Sequence, residues 1–198
     1  MAIRYATEAD PNVDGTSGND YLFGSRHANE LRGLEGSDWL FGYGGDDALF
    51  GGPNNDYLFG RRGADHLRGE AGNDWLIGGK GPDTFHFVRD GGKDTVTDLN
   101  PSEGDRIVFG EGVGLLLVGG DAVAEGTTYQ EFDFNSDGKI DKTTVYLDYD
   151  RTPMGLVINQ VSDTSGKPPD YITFLYASWE DVQVALGMFQ PAGGGLFI

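Results

Sequence analysis

Glycine recurs every ninth residue over more than a third of the chain, and no other feature restricts the fold as much. Gly15, Gly24, Gly33, Gly42, Gly51, Gly60, Gly69 and Gly78 fall in one register without insertion. With these at position 1, position 6 holds Asp20, Asn29, Asp38, Asp47, Asp56, Asp65, Asp74 and Asp83. Position 8 holds Leu22, Leu31, Leu40, Leu49, Leu58, Leu67, Leu76 and Phe85. Position 4 is glycine in six of the eight repeats, with His27 and Asn54 as the exceptions. A fixed short period of this kind marks a solenoid, in which each unit buries its apolar side chain only by stacking on its neighbours.

Each position has a physical task. Glycine at positions 1 and 4 permits positive φ and close backbone approach, so six residues can turn tightly with their carbonyls converging. The position 6 carboxylate adds a hard oxygen to those carbonyls, the donor set that calcium prefers. Positions 7 to 9 are long enough for one very short strand, which sends the position 8 side chain inward and its two neighbours outward. Two units close one coil of a right-handed parallel β-roll, so like turns stack every 18 residues at about 4.8 Å. The spacing therefore predicts an all-β fold of about four coils with two carboxylate columns: Asp20, Asp38, Asp56 and Asp74 on one side, Asn29, Asp47, Asp65 and Asp83 on the other. Three gaps in each column predict about six calcium ions, bound by these side chains and by carbonyls of the turns at Gly15, Gly24, Gly33, Gly42, Gly51, Gly60, Gly69 and Gly78. Carboxylates stacked this closely repel without a cation between them.

Composition agrees. The 198 residues carry 32 acidic and 14 basic side chains, a formal charge of −18, which opposes nucleic acid and anionic lipid and favours cations. Glycine is 33 of 198 residues without a collagen period, which points to turns. No cysteine is present, so disulfides, zinc thiolates and thiol nucleophiles are excluded. The opening MAIRYATEADPNVDG has neither the basic start nor the apolar core of a cleaved export signal. No run reaches the length of a membrane span.

These repeats resemble the RTX (repeat-in-toxin) nonapeptide G-G-x-G-x-D-x-U-x, a calcium-binding β-roll signature. GPDTFHFV at 81–88 and DTVTDLNPSEGDRIVF at 94–109 are similar to the segment that closes such rolls in serralysin-type proteases and alginate epimerases. The resemblance implies calcium ligation by the position 6 carboxylates and glycine-turn carbonyls, folding on calcium outside the cell, and type I secretion through an uncleaved C-terminal signal. The tail SWEDVQVALGMFQPAGGGLFI suits this in part. Ser178 can cap a short helix with Val182, Ala185 and Leu186 on one face, but no acidic residue precedes the terminal apolar ones. The expected organisation is a lead-in at 1–14, the roll at 15–87, and a β-rich flanking region at 88–198 with one short helix.

Two features lie outside that scheme. DFNSDGKID places Asp133, Asn135, Asp137 and Asp141 at positions 1, 3, 5 and 9 of an EF-hand-like loop with Gly138 at position 6. Thr144 stands where the bidentate Glu belongs, so the segment reads either as one further, weak calcium site or as a plain hairpin turn. The outward positions of the odd repeats form an apolar ladder, Tyr21/Phe23, Trp39/Phe41, Tyr57/Phe59 and Trp75/Ile77, opposite a mixed, charged face on the even repeats. Strands from 94–176 folding back over it, self-association, and glycan stacking on Tyr21, Trp39, Tyr57 and Trp75 are the readings open for this face. Catalysis finds no support: the histidines are His27, His66 and His86, and neither HExxH nor G-x-S-x-G occurs. The function expected is that of a secreted calcium-binding protein or module, with an extracellular carbohydrate-binding or adhesion module as the alternative.

Overall fold

The computed structural model describes residues 1–88 and 91–110, the backbone of three strands at 143–147, 156–160 and 170–174, and helical positions 181, 184 and 185. The acidic loop at 133–141 and the C-terminal tail from 186 lie outside the described residues.

The chain winds back and forth between two sheets. β1 (Ile3–Tyr5), β3 (Tyr21–Phe23), β5 (Trp39–Phe41), β7 (Tyr57–Arg62), β9 (Trp75–Lys80) and β11 (Lys93–Val96) stack in parallel on one side. β2 (Asn12–Thr16), β4 (Glu30–Leu34), β6 (Ala48–Pro53), β8 (His66–Ala71), β10 (Thr84–Phe87) and β12 (Arg106–Phe109) stack on the other. The register is the sequence period itself: Tyr21 pairs with Trp39, Leu22 with Leu40 and Phe23 with Phe41, each 18 residues on. Leu22, Leu31, Leu40, Leu49, Leu58, Leu67, Leu76 and Phe85 are all fully buried and fill the narrow space between the sheets. Each repeat thus contributes one core side chain.

The roll is longer than its nonapeptides, at about six turns. Residues of the 1–14 stretch supply β1 and most of β2, which pair in parallel with β3 and β4. At the far end β11 and β12 continue the two stacks, and Val96 and Ile107 take the place of the repeat leucines in the core. β15 (Asp170–Phe174), β14 (Leu156–Gln160) and β13 (Thr143–Leu147) then extend the aromatic sheet beyond β11, the last two antiparallel. The described strands from 94–176 thus continue the aromatic face at its edge instead of lying across it. Residues 181, 184 and 185 are helical, where the sequence predicts a short helix, and Ala185 is buried with the core leucines.

Candidate metal centre

The turns of the repeat differ from the expected geometry in one respect. Positive φ falls at positions 2 and 4, as at Leu34 (73°), Tyr43 (74°), Gly52 (111°), Arg61 (83°) and Glu70 (76°), and at Gly36 (115°), Gly45 (96°), Asn54 (84°) and Gly63 (136°). Position 1 is glycine for space instead. A Cβ on Gly51 would sit 2.4 Å from Asp56 Oδ2 and 2.7 Å from the Gly69 carbonyl oxygen. On Gly60 it would meet Asp65 Oδ2 at 2.4 Å and the Gly78 carbonyl at 2.7 Å. At each such level a carboxylate oxygen and a main-chain carbonyl of the next coil converge over a bare Cα.

The position 6 carboxylates are held by a second regularity. The Asp38 backbone N–H donates to Asp56 Oδ1 at 2.7 Å, Asp56 N–H to Asp74 Oδ1 at 2.9 Å, Asp47 N–H to Asp65 Oδ1 at 2.8 Å, and Asp65 N–H to Asp83 Oδ1 at 3.0 Å. One oxygen of each side chain is thereby fixed by the preceding coil. The other points into the column: Oδ2 of Asp38, Asp47, Asp56, Asp65, Asp74 and Asp83 is buried with no hydrogen-bond donor. Burying an ionised oxygen without a partner is costly, and the protonation equilibria reflect it. Burial, reinforced by neighbouring carboxylates, pushes Asp56 up to about 8, Asp47 and Asp83 up to about 7 and Asp65 up to about 6, and raises Asp38 and Asp74. The hydrogen bond from the preceding coil opposes the shift and loses.

The first turn of each column is built otherwise. Asp20 Oδ2 accepts from the Thr16 N–H at 2.6 Å and the Thr16 hydroxyl at 2.7 Å, while the Ala2 N–H donates to Oδ1. Although burial opposes it, these donors bring Asp20 below the ordinary carboxylate value. Asn29 Oδ1 likewise accepts from Ser25 N–H at 2.5 Å, and its amide donates to the Pro11 carbonyl at 3.1 Å.

The columns also run past the nonapeptides. Asp74 N–H donates to Asp94 Oδ1 at 3.0 Å and Asp83 N–H to Asp105 Oδ1 at 2.9 Å, so both residues repeat the position 6 role. Asp98 accepts from the N–H groups of Gly78 and Gly79, and Glu103 from that of Gly81. The nine-residue period misses these four because the spacing widens to 20 and 22 residues. The signal available was an Asp preceding each short apolar strand, DTV at 94 and DRIV at 105.

Among the described residues no three His, Cys, Asp or Glu side chains converge on one point. A cation in either column must therefore take much of its shell from main-chain carbonyls, which a hard ion with six to eight oxygen ligands accepts and a thiolate- or imidazole-seeking ion does not. Buried, donor-free carboxylate oxygens beside carbonyls fit calcium. Of the sequence-predicted ligands, all eight position 6 side chains are buried in the two columns, six with an orphaned oxygen and two, Asp20 and Asn29, with protein donors. Asp133, Asn135, Asp137 and Asp141 fall outside the described residues.

On the outer face of the aromatic sheet Tyr21, Trp39, Tyr57 and Trp75 stack in series, with ring centroids 6.0, 4.3 and 6.5 Å apart and planes within 26° of parallel. Phe23, Phe41 and Phe59 form a second stack at 5.2 and 4.8 Å. Arg61 lies over Tyr43 at 4.6 Å, and Tyr57 and Trp75 remain 36% and 39% exposed. On the opposite face Arg32 pairs with Glu30 and Asp14, and Arg68 with Glu70.

This architecture defines a class: a parallel β-solenoid whose turns are lined with cation-seeking oxygens. The family model for the RTX calcium-binding nonapeptide repeat matches residues 12–33, 24–58 and 50–85, and residues 12–85 are RTX calcium-binding repeats. Among solved structures the chain is similar to the AlgE6R3 subunit of the Azotobacter vinelandii mannuronan C5-epimerase, at 21% identity over 93% of this chain and 87% of that one, with a TM-score of 0.45. It is also similar to the extracellular lipase LipA of Serratia marcescens, at 14% identity over 87% of this chain and 39% of that one, with a TM-score of 0.32. No curated protein matches the chain.

Proposed function

We propose that the chain is a secreted calcium-binding RTX protein or module that folds when calcium fills its two carboxylate columns after type I export. The observation that carries this is the set of six buried Oδ2 atoms without donors, three in each column. They support about six ions in the roll, and the loop at Asp133, Asn135, Asp137 and Asp141 would add one more. At free calcium ten times the dissociation constant each site contributes about 1.4 kcal/mol, so six independent sites give roughly 8 kcal/mol, the whole net stability of an ordinary domain. A chain without cysteines that draws its stability from calcium is disordered where calcium is scarce and folded where it is abundant, which suits passage through a narrow export channel.

The stacked ladder supports a structural role for the aromatic face. Sugar stacking needs a free ring face, and here the faces of Trp39 and Tyr57 are turned on each other. The alternative reading as a carbohydrate-binding or adhesion module predicts glycan binding that Trp39→Ala abolishes in a folded protein. The main reading is tested by circular dichroism during a calcium titration at pH 8, begun in chelator. A cooperative gain of β signal is expected, and equal signal with and without chelator overturns it.

A further inference from the structure

The even sheet carries a second cluster of metal-ligating atoms, well apart in chemistry from the oxygen columns. β8 and β10 run in parallel with His66 opposite Thr84 and His86 opposite Arg68, so the two imidazoles lie on one face on a diagonal. Diagonal neighbours in a sheet are within reach of each other when the side chains are long or ring-bearing. His66 Nδ1 and His86 Nε2 face each other at 3.3 Å, with ring centroids 5.6 Å apart and planes inclined by 31°.

We propose that His66 and His86 form a two-imidazole site for a divalent transition metal ion of the zinc class, separate from the calcium columns. Zinc–nitrogen bonds of about 2.0–2.1 Å at a tetrahedral angle put two ligand nitrogens roughly 3.3–3.4 Å apart, the separation already present here. The ladder fixes both backbones, and zinc would replace the hydrogen bond that the two ring nitrogens share, the donor ring passing to its other tautomer. The pair is on the solvent side of the sheet, and water completes the shell. Neutral imidazole suits zinc, nickel and copper, whereas calcium takes hard oxygen donors, so the two ion types are sorted by donor chemistry. The opposing charge nearby, Arg68, is itself paired with Glu70 at 3.3 Å. His27 sits in a turn, its backbone N–H bonded to the Ser25 hydroxyl, and does not share this face.

Zinc chloride titrated by calorimetry into the full chain at saturating calcium should give one saturable event per chain. His66→Gln and His86→Gln should each abolish it, and His27→Gln should leave it intact. Proton NMR of the unsubstituted protein gives a readout that needs no variant: zinc should shift or broaden the ring resonances of His66 and His86 and leave those of His27 in place. Absence of saturable zinc binding, binding that survives both substitutions, or ring resonances that zinc does not move would overturn the proposal. Because calcium-induced folding is followed separately by circular dichroism, failure here leaves the calcium reading standing.

Discussion

Asp20 and Asp56 stand in one column, two coils apart, in the same place in the repeat, and they are solved in opposite ways. Asp20 is surrounded by protein donors, chiefly both polar groups of Thr16, and is held as a stable anion. Asp56 has one oxygen fixed by the Asp38 N–H and the other left bare, and burial pushes it up to about 8. A threonine at position 2 of the first turn satisfies the carboxylate locally, whereas Leu34, Gly52 and Glu70 at position 2 of the later turns have no hydroxyl to offer there. On the proposed reading, the chain leaves a buried carboxylate to calcium by withholding donors from it.

The largest effect of that difference is on pH dependence without calcium. Between the ordinary aspartate value of 3.8 and the raised values of about 6 to 8, the folded roll binds more protons than the unfolded chain. By linkage its stability is then highest in acid and falls as pH rises across that window. Asp20, with its value lowered, contributes the opposite way, stabilising above 3.8 and losing that contribution as pH falls. The many inner aspartates outweigh it, so chelated protein should keep its β signal near pH 5 and lose it by pH 8, and calcium should abolish the dependence by replacing the protons. A flat profile in chelator would mean that the bare oxygens are satisfied in some other way.

Exchanging the charge for an amide sharpens the contrast at single positions. Asp56→Asn keeps an oxygen for the Asp38 N–H but removes the anion. With calcium it should lower the number of bound ions and cost roughly 1.4–3 kcal/mol, the worth of one or two sites at ten times the dissociation constant. In chelator at pH 5, where the parent keeps its fold, the sign should reverse, the variant being more stable than the parent because it need not take up a proton to bury the side chain. Asp20→Asn should cost roughly 1–3 kcal/mol in both conditions, because its NH2 replaces one of two accepting oxygens and leaves a backbone donor unpaired. Urea melts of the two variants with and without calcium decide this, and parallel behaviour of the two would break the comparison.

The same contrast explains what the sequence made legible. Core leucines, sheet alternation and the two columns of buried position 6 side chains followed from the nine-residue period because stacking forces like residues into like places, as the pairing of Leu58 with Leu76 shows. Asp94 and Asp105 perform the same task but were hidden by longer turns, since a period cannot register residues that break it. The extra coil, made by Ile3–Tyr5 and the residues of β2 ahead of Gly15, has no repeat glycine, and only the pairing with β3 and β4 identifies it as part of the roll. The left-handed backbone at position 2 was illegible for a different reason: Leu34, Tyr43, Arg61 and Glu70 are poor markers of positive φ, and the coil imposes it on them.

That imposition has a measurable consequence, smaller than the others. A side chain in the left-handed region costs about 1–2 kcal/mol relative to glycine, part of which glycine returns through the greater freedom of its unfolded chain. Leu34 has φ 73° and is 44% exposed, so it has little packing to lose. One coil further along the same stack, Gly52 occupies the equivalent place with φ 111°. Leu34→Gly should therefore raise stability by about 0.5–1 kcal/mol, visible as a small rise in Tm at fixed calcium, with the number of bound ions unchanged. A loss of stability would show that the leucine packs more strongly than its exposure implies; a change in ion number would show that position 2 also shapes the carbonyls around the column, joining backbone strain to the metal centre.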